Sequence, residues 1–405
     1  MSAKKTMNRR RFLGTGAAGL AAIGAVPAVL SAGAAPQEPA KPGKDQRVWR
    51  TLGKTGIRLP VVSMGVMNAD NPDLVRAALE SGIVMLDTAH GYQRGRNEEM
   101  IGQVIKGRPR DSFVIATKVP GQPMDRETGL FTAETSAEAW LEKVNISLQR
   151  LGLEYVDILY LHNVWKKEAV QFEPLLSALQ KAKKAGKTRF IGLSTHMGEP
   201  EVLQAAAELK AHDVVLTAIN FREDHRAETQ RAIAAAAKVG IGIVAMKTQA
   251  GIYWDKEKLL PINMKAALKW VLADANVATA IPGFTTFEQM REDLEVMPDL
   301  ALSDKEKADL VPPSGVAGLY CQGCRVCQGQ CPRRLPIPEL MRSYMYARAY
   351  RNLSEARDLV ASLSLPERPC GDCRSCTVRC AMGFAVGERI REISGLAALP
   401  ASLFA

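Results

Sequence analysis

All eight cysteines of this 405-residue chain lie between residues 321 and 380, in two copies of the spacing C-x2-C-x2-C-x3-C. They are Cys321, Cys324, Cys327, Cys331, Cys370, Cys373, Cys376 and Cys380. Four thiolates at these intervals suit a cubane cluster, because three closely spaced cysteines bind one cluster and the fourth commonly reaches the other. The spacing therefore predicts two [4Fe–4S] clusters. Cys331 is expected to complete the cluster of Cys370, Cys373 and Cys376, and Cys380 the other.

Zinc and disulfides are the alternatives for so many cysteines. C-x2-C pairs also bind zinc, but structural zinc sites seldom combine three cysteines at two-residue gaps with a fourth after three. An even number of cysteines in an exported chain would also suit disulfides. The repeated four-cysteine spacing favours iron–sulfur clusters over both.

A second set of reactive side chains follows three successive β-branched runs: Asp87 and Tyr92 after the first, Lys118 after the next and His162 after the third. A nearby ammonium favours a phenolate and lowers the pKa of tyrosine from about 10. We expect Lys118 to tune Tyr92 in this way, with Asp87 holding Lys118 charged. His162 is suited to donating a hydrogen bond to a substrate carbonyl. Each residue alone has ordinary structural uses, but together they suit protonation of a carbonyl as hydride reaches its carbon.

The elements that position these residues alternate between strand and helix. Eight β-branched runs are expected to be strands, at residues 61–67, 83–89, 112–119, 156–162, 188–196, 214–220, 242–248 and 277–283. Helical spacing appears between them, for example at residues 136–151 and 172–187. Eight such units predict a closed (β/α)8 barrel, an α/β fold whose chemistry lies at the C-terminal strand ends. An open doubly wound sheet would want a glycine fingerprint after its first strand, and none is present.

The barrel resembles the aldo-keto reductase family across about residues 48–300. The family motif D-T-A-x-x-Y appears at residues 87–92 and is followed by E-E-M-I-G at 98–102. The lysine strand is V-I-A-T-K, ending at Lys118, and the histidine strand is V-D-I-L-Y-L-H, ending at His162. The resemblance implies that Tyr92 is the general acid/base, that Lys118 and Asp87 tune it, and that His162 orients a small carbonyl or alcohol substrate.

The same resemblance implies a nicotinamide cofactor, NADP or NAD. The expected cofactor-binding residues are Ser194, Thr195, Asn220, Lys247, Gly283, Thr285 and Gln289. The family often has Ser-Asn where this chain has Ser194-Thr195, and Gln289 stands where an arginine would hold a 2′-phosphate. NADP, NAD and another carrier therefore all remain open. Lys247 is as compatible with a pyrophosphate contact as with a charge in the substrate pocket.

The cysteine region differs from a compact bacterial ferredoxin, which would have short strands between its motifs. Residues 337–363 instead have helical spacing and are rich in Ala, Arg, Leu, Met and Tyr. About residues 314–395 resemble the α-helical ferredoxin domain of dehydrogenase iron–sulfur subunits. We therefore expect a mainly α-helical iron–sulfur domain after the barrel.

The N-terminus indicates export. An N-R-R-R-F-L motif precedes a Gly/Ala-rich stretch, and residues 1–34 resemble a twin-arginine signal, with a Pro- and charge-rich linker at 35–47. The formal charge of +10 includes five basic residues of this signal; without it, 48 basic face 43 acidic residues. No basic stripe interleaved with aromatic residues is present, so nucleic acid is not an expected partner. We expect a periplasmic or extracytoplasmic protein whose mature chain has no transmembrane domain.

Together these features favour an exported oxidoreductase that interconverts a carbonyl and an alcohol and exchanges electrons through its clusters with a redox partner protein. Hydride transfer moves two electrons at once, whereas each cluster moves one, and no segment resembles a flavin site between them. The alternative is a non-catalytic electron-transfer or assembly subunit that uses the barrel as a docking scaffold.

Overall fold

The computed structural model describes residues 46–125, 127–255, 259–313, 318–366, 369–370, 373 and 375–404. The expected export signal and nearly all of the linker lie outside the described residues. Among the helices that are described, none is both long and apolar enough to cross a membrane.

Eight parallel strands form a closed barrel, as the sequence predicts. After a hairpin of β1 (Trp49–Thr51) and β2 (Arg58–Pro60), they are β3 (Met64–Gly65), β4 (Met85–Asp87), β5 (Val114–Pro120), β6 (Val156–His162), β7 (Thr188–Thr195), β8 (Val214–Ala218), β9 (Gly242–Met246) and β10 (Val277–Ala280). Each strand pairs with its neighbours in chain order. A parallel bridge from Val62 to Ala280 closes the barrel, and Ser63 N donates to Ala280 O at 2.8 Å.

Helices surround the sheet. They are α1 (Pro72–Glu80), α2 (Arg96–Ile105), α3 (Ala137–Leu151), α4 (Lys167–Val170), α5 (Glu173–Lys184), α6 (Glu199–Leu209), α7 (Arg226–Lys238), α8 (Met264–Leu272), α9 (Phe287–Leu294) and α10 (Asp304–Asp309). The predicted helix at 136–151 is confirmed: the Ser136 side chain caps its first turn by accepting from Ala139 N. It ends at Gly152, whose φ of 64° suits glycine.

The hairpin of β1 and β2 closes the end of the barrel opposite the strand C-termini. Its Leu52 and Leu59 are fully buried and pack with Val214 and Val244 of the barrel interior. Sequence periodicity did not predict this hairpin, because its two strands have three residues each and contain charged side chains. Apolar packing at this end leaves the opposite end for the polar strand termini.

The cysteine-containing part has its own small core, built on three helices. They are α11 (Ile337–Arg348), α12 (Leu353–Ser362) and α13 (Val386–Ser394). Leu340, Ala356, Val360 and Ile390 are almost completely buried in this core, and the loops that carry the cysteines pack around it. The helical spacing predicted for 337–363 is confirmed, with a break between α11 and α12. We call residues 318–404 the helical module.

The helical module covers the C-terminal mouth of the barrel. Side-chain hydrogen bonds join the two at separate points: Arg94 Nε to Asp358 Oδ2 at 2.7 Å, Asn352 Nδ2 to Asn68 Oδ1 at 2.9 Å, and Asn220 Nδ2 to Gln322 Oε1 at 3.2 Å. The Arg325 guanidinium also lies 5.4 Å from the centroid of the Trp165 ring. Because these barrel residues follow strand ends, the module covers the C-terminal ends of the strands, where barrel enzymes have their active sites.

One glycine offers a sharp test of barrel packing. A Cβ on Gly192 of β7 would overlap the carbonyl oxygen of Val214 and lie 3.0 Å from Tyr160 Cδ1. We expect Gly192→Ala to cost at least about 1–3 kcal/mol, because the backbone of β8 must shift. Denaturant unfolding should show the loss, and Gly395→Ala is the control, since a Cβ there meets nothing within 4 Å. Equal stability of both variants would contradict the close contact between β7 and β8.

Candidate functional site

Four predicted catalytic residues meet at the barrel mouth because their strands are neighbours. Asp87 is the last residue of β4, Lys118 lies near the end of β5, and His162 is the last residue of β6. Tyr92 begins the short helical turn that follows β4. Parallel pairing of β4 with β5 and of β5 with β6 therefore brings together residues up to 75 positions apart.

The Lys118 ammonium is the centre of this group. Its Nζ donates to Asp87 Oδ1 at 2.5 Å, to Thr88 O at 2.7 Å and to Tyr92 Oη at 3.2 Å. The rings of Tyr92 and His162 meet edge to face, with centroids 6.0 Å apart. Both Lys118 and Asp87 are 1% exposed, so this ion pair is shielded from water. A chain of contacts thus runs from the carboxylate through the ammonium to the phenol.

Burial dominates the proton affinities of these groups. It raises the pKa of Asp87 and lowers the pKa of Lys118, and the attraction between the two opposes both shifts. Burial also raises the pKa of Tyr92 well above its ordinary value, and the charge of Asp87 adds to this. The expected lowering of the Tyr92 pKa by Lys118 is therefore wrong for this structure. The phenol stays protonated at neutral pH, which is the state that an acid requires.

His162 is uncharged near neutral pH. Burial lowers its pKa to about 3, and the positive charges of Lys118, Arg342 and Lys247 add to the effect. A neutral imidazole retains one N–H donor. His162 can therefore donate to a carbonyl oxygen without carrying a proton to transfer.

The motif E-E-M-I-G, in α2, contacts the strand that carries Lys118 on the side away from the cavity. Glu98 of α2 is completely buried, accepts a hydrogen bond from Thr117 Oγ1 at 2.6 Å and pairs with Arg150 at 3.3 Å. Thr117 precedes Lys118 on β5, so Glu98 fixes the strand that carries the lysine. In this chain the motif has a supporting role rather than a place in the cavity wall.

A cavity of about 560 Å³ extends from the four residues towards α9. Six of the seven predicted cofactor residues line it: Ser194, Asn220, Lys247, Gly283, Thr285 and Gln289. Thr195 does not, because its side chain is fully buried and donates to Met197 O at 3.0 Å. Its expected cofactor contact is therefore not supported by its position. The lining of this one cavity thus includes both Tyr92 and Gln289 of α9.

The α9 end of this cavity is acidic rather than basic. Glu292 and Asp293 line it, and Gln289 accepts from Thr285 N at 2.9 Å. Burial raises the pKa of Asp293 to about 8, while Gln249 donates to its carboxyl at 2.8 Å. Among the described lining residues of this end, no lysine or arginine is present. The surroundings therefore suit a hydroxyl better than a phosphate.

The helical module supplies the other wall, which sequence reasoning missed. Arg342, Tyr346 and Tyr350 of the α11 region and Cys321 all line the same cavity as Tyr92. These residues are far from the tetrad in sequence, and no local signal connects them to it. Only a prediction of how the two parts pack would have found them.

The cysteines fall into two groups. Burial and the nearby thiols of Cys321, Cys324 and Cys380 raise the pKa of Cys327 to about 12. Burial and the nearby Cys373, Cys376 and Cys331 likewise raise the pKa of Cys370. Each group thus combines three cysteines of one motif with the last cysteine of the other. Within the described residues, no three His, Cys, Asp or Glu side chains are arranged to hold a metal ion.

The protein is an α/β barrel with polar, ionisable residues at the C-terminal ends of its strands, and comparison with known proteins identifies its family. Residues 62–265 match the model of the Aldo/keto reductase family. The chain belongs to this family.

Curated relatives are distant but span the barrel. An L-glyceraldehyde 3-phosphate reductase of Escherichia coli K12 is 26% identical, over 65% of this chain and 92% of that protein. An NADH-specific methylglyoxal reductase of the same organism is also 26% identical, over 58% of this chain and 84% of its own length.

Solved structures agree on the fold. An aldo-keto reductase from Bacillus halodurans in its holo form superposes with a TM-score of 0.53 at 22% identity, covering 65% of this chain and 95% of that one. A thermostable aldo-keto reductase bound to the inhibitor epalrestat gives 0.51 at 24% identity, covering 65% and 98%. At such identities the likeness supports the barrel fold alone.

The buried ion pair yields a stability prediction. We expect Lys118→Met to destabilise the protein by about 3–5 kcal/mol, because Asp87 is left as an unpaired buried carboxylate. Adding Asp87→Asn should recover part of the loss. Denaturant unfolding of the two single variants and the double variant measures this coupling, and additive losses would show that the two charges do not stabilise each other.

Proposed function

We propose that this protein is an oxidoreductase that interconverts a carbonyl and an alcohol, with Tyr92 as its general acid/base. The observation that carries the proposal is the contact chain from Asp87 through Lys118 to the Tyr92 hydroxyl at the floor of a covered cavity. A buried lysine held between a carboxylate and a phenol is costly unless its charge is used. Membership of the aldo/keto reductase family supports the same reaction class.

In the reductive direction, the substrate oxygen accepts hydrogen bonds from Tyr92 Oη and from the neutral imidazole of His162. A nicotinamide held by the cavity residues would supply the hydride for the carbonyl carbon. Tyr92 gives its proton to the oxygen, which completes the alcohol, and the resulting phenolate is stabilised by the Lys118 ammonium 3.2 Å away. A proton from water then restores the phenol. Oxidation of an alcohol reverses each step.

NAD is the nucleotide that the cavity favours. Glu292 lines the end beside α9, where an acidic side chain can accept from a ribose hydroxyl but would repel a 2′-phosphate. The relative named as NADH-specific is in keeping with this choice. NADPH should therefore bind more weakly than NADH.

We further infer that the helical module carries two [4Fe–4S] clusters. The donor set fits, because each group of neighbouring thiols contains four cysteines and no other ligand type is needed. A cubane binds its cysteines at four separate iron atoms, so they stand farther apart than the ligands of one ion. The clusters would supply one-electron transfer, and Cys321 of the first group lines the cavity that contains Tyr92.

Export by the twin-arginine pathway completes the proposal. The R-R-R-F-L segment near the N-terminus supports it, and this pathway carries proteins that are already folded. Clusters inserted in the cytoplasm would thus reach the periplasm inside the folded module.

Replacing the proposed acid tests the catalytic claim. We expect Tyr92→Phe to lower carbonyl turnover by about 10²–10⁴-fold, because the proton donor is lost while the ring remains. NADH binding, followed by fluorescence titration, should change little and acts as the control. Unchanged turnover in Tyr92→Phe would show that Tyr92 is not the general acid/base. Failure of the wild type to bind either NADH or NADPH would leave the barrel as a docking scaffold.

Paired cysteine replacements test the clusters and their ligands together. Anaerobically purified wild type should contain about eight iron and eight sulfide per chain, as two cubanes require. With crossed ligands, Cys321→Ala/Cys380→Ala removes one cluster and should keep about four irons. The matched Cys321→Ala/Cys331→Ala removes a ligand from each cluster and should lose most iron. If the first double variant instead loses most iron and the second keeps about four irons, each motif binds its own cluster. Wild-type protein without iron would refute the clusters.

A further inference from the structure

Two basic side chains line the cavity without forming a salt bridge to any residue that the structure describes. Lys247 follows β9 and adopts a φ of 58°, a left-handed conformation that is uncommon for a residue with a side chain. Arg342 reaches the cavity from α11 of the module and is 9% exposed. Both line the cavity wall. One cation therefore comes from the barrel and the other from the module.

Neither cation has an ion-pair partner in the part of the chain that the structure describes. Arg342 contacts the ring of His196, a base whose pKa burial and the charge of Arg342 hold well below its usual value. Lys247 Nζ makes no hydrogen bond to a described residue. Burial and the charge of Arg342 hold the pKa of Lys247 well below its usual value, and the charges of Glu199, Cys321 and Glu223 oppose this shift. A basic side chain in a cavity without a salt bridge costs free energy, which a bound anion recovers.

The acidic groups near these two cations also act on other partners. Glu199 pairs with His225 at 3.0 Å. Burial lowers the pKa of Arg325, and the charge of Glu339 opposes this shift. Burial and the charge of Glu199 raise the pKa of Glu223 to about 8, so this carboxyl is largely neutral at pH 7. Each of these carboxyl groups therefore has another partner or is largely neutral, and among the described residues none forms a salt bridge with Lys247 or Arg342.

We propose that the substrates of this cavity carry a carboxylate or phosphate group beside the carbonyl, and that Lys247 and Arg342 bind this group. The proposal rests on the function proposed above and specifies its substrate class. Lys247 and Arg342 line the same cavity as His162 and Tyr92, so an anionic group bound to them would share this cavity with the reacting carbonyl. A guanidinium suits either anion, because its planar donors match two oxygens at once.

The position of Arg342 gives the module a second role. The barrel alone would present Lys247, and the module adds the cation that can hold a planar anion in one orientation. Binding of the anionic group by both parts places the carbonyl against Tyr92 and His162. Substrate recognition thereby depends on the packing of the module on the barrel.

Matched substrate pairs test this proposal with the complete, cluster-containing protein. The pairs are glyceraldehyde 3-phosphate with glyceraldehyde, and glyoxylate with methylglyoxal, each measured with NADH. We expect wild type to prefer the anionic member of at least one pair by about tenfold or more in kcat/KM. Lys247→Met and Arg342→Met should each lower this preference about 10–100-fold, as loss of a charged hydrogen bond does. Arg342→Lys should restore part of it.

Lys265→Met is the control for removal of a charge. Lys265 lies on α8, pairs with Glu295 at 3.0 Å and does not line the cavity. Its loss should leave the preference for anionic substrates unchanged. An equal fall in this variant would mean that overall charge, and not the two cavity cations, attracts the anion, and would overturn the proposal.

A binding measurement separates this proposal from the function on which it rests. Calorimetric titration with inorganic phosphate and with oxalate needs no turnover, and we expect at least about tenfold weaker binding in Lys247→Met and Arg342→Met. Binding without turnover of any carbonyl would reject the proposed reaction but retain the anion site. Turnover with no preference for anions would reject the site. If the two variants change only the affinity for NADH, the cations bind the cofactor pyrophosphate. If they change only the midpoint potential of a cluster, the cations act on that cluster. Either result overturns the proposal.

Discussion

The buried ammonium of Lys118 is the constraint on which the rest of the site depends. At 1% exposure it must be compensated inside the protein, and Asp87, Thr88 and Tyr92 provide oxygen partners from one neighbouring strand and the turn after it. These partners are in reach only because β4 and β5 pair in register. Glu98 then holds the lysine strand from its outer side through Thr117. The electrostatics of the site therefore require a correctly closed barrel.

The helical module changes the physical character of that site. An uncovered barrel mouth would leave His162 and Lys247 in contact with solvent, where their charges would be screened. Beneath the module, burial is the largest influence on the pKa of Tyr92, His162 and Lys247. The same cover brings Cys321 and Arg342 to the cavity. Burial, anion recognition and access to the cysteine groups thus have one structural cause.

Sequence patterns predicted the local elements well and the effects of burial poorly. The eight strands and the helix beginning after Ser136 follow from apolar period and capping, which are properties of neighbouring residues. The tetrad followed from residues at strand ends. The pKa of Tyr92 is raised rather than lowered as predicted, because desolvation outweighs the effect of the nearby Lys118 ammonium. Thr195 alternates away from the cavity, which the strand pattern alone did not reveal.

By itself, the sequence determined the barrel units, the types of the candidate catalytic residues and the spacing of the cysteines, because each is encoded over short distances along the chain. Tertiary packing decided whether the last cysteine of each motif lies with its own motif or the other, and it places Cys380 with the first motif and Cys331 with the second. It also decided that Arg342 faces the catalytic residues. These placements depend on packing between segments far apart in sequence, where no periodicity or local motif constrains which side chains meet.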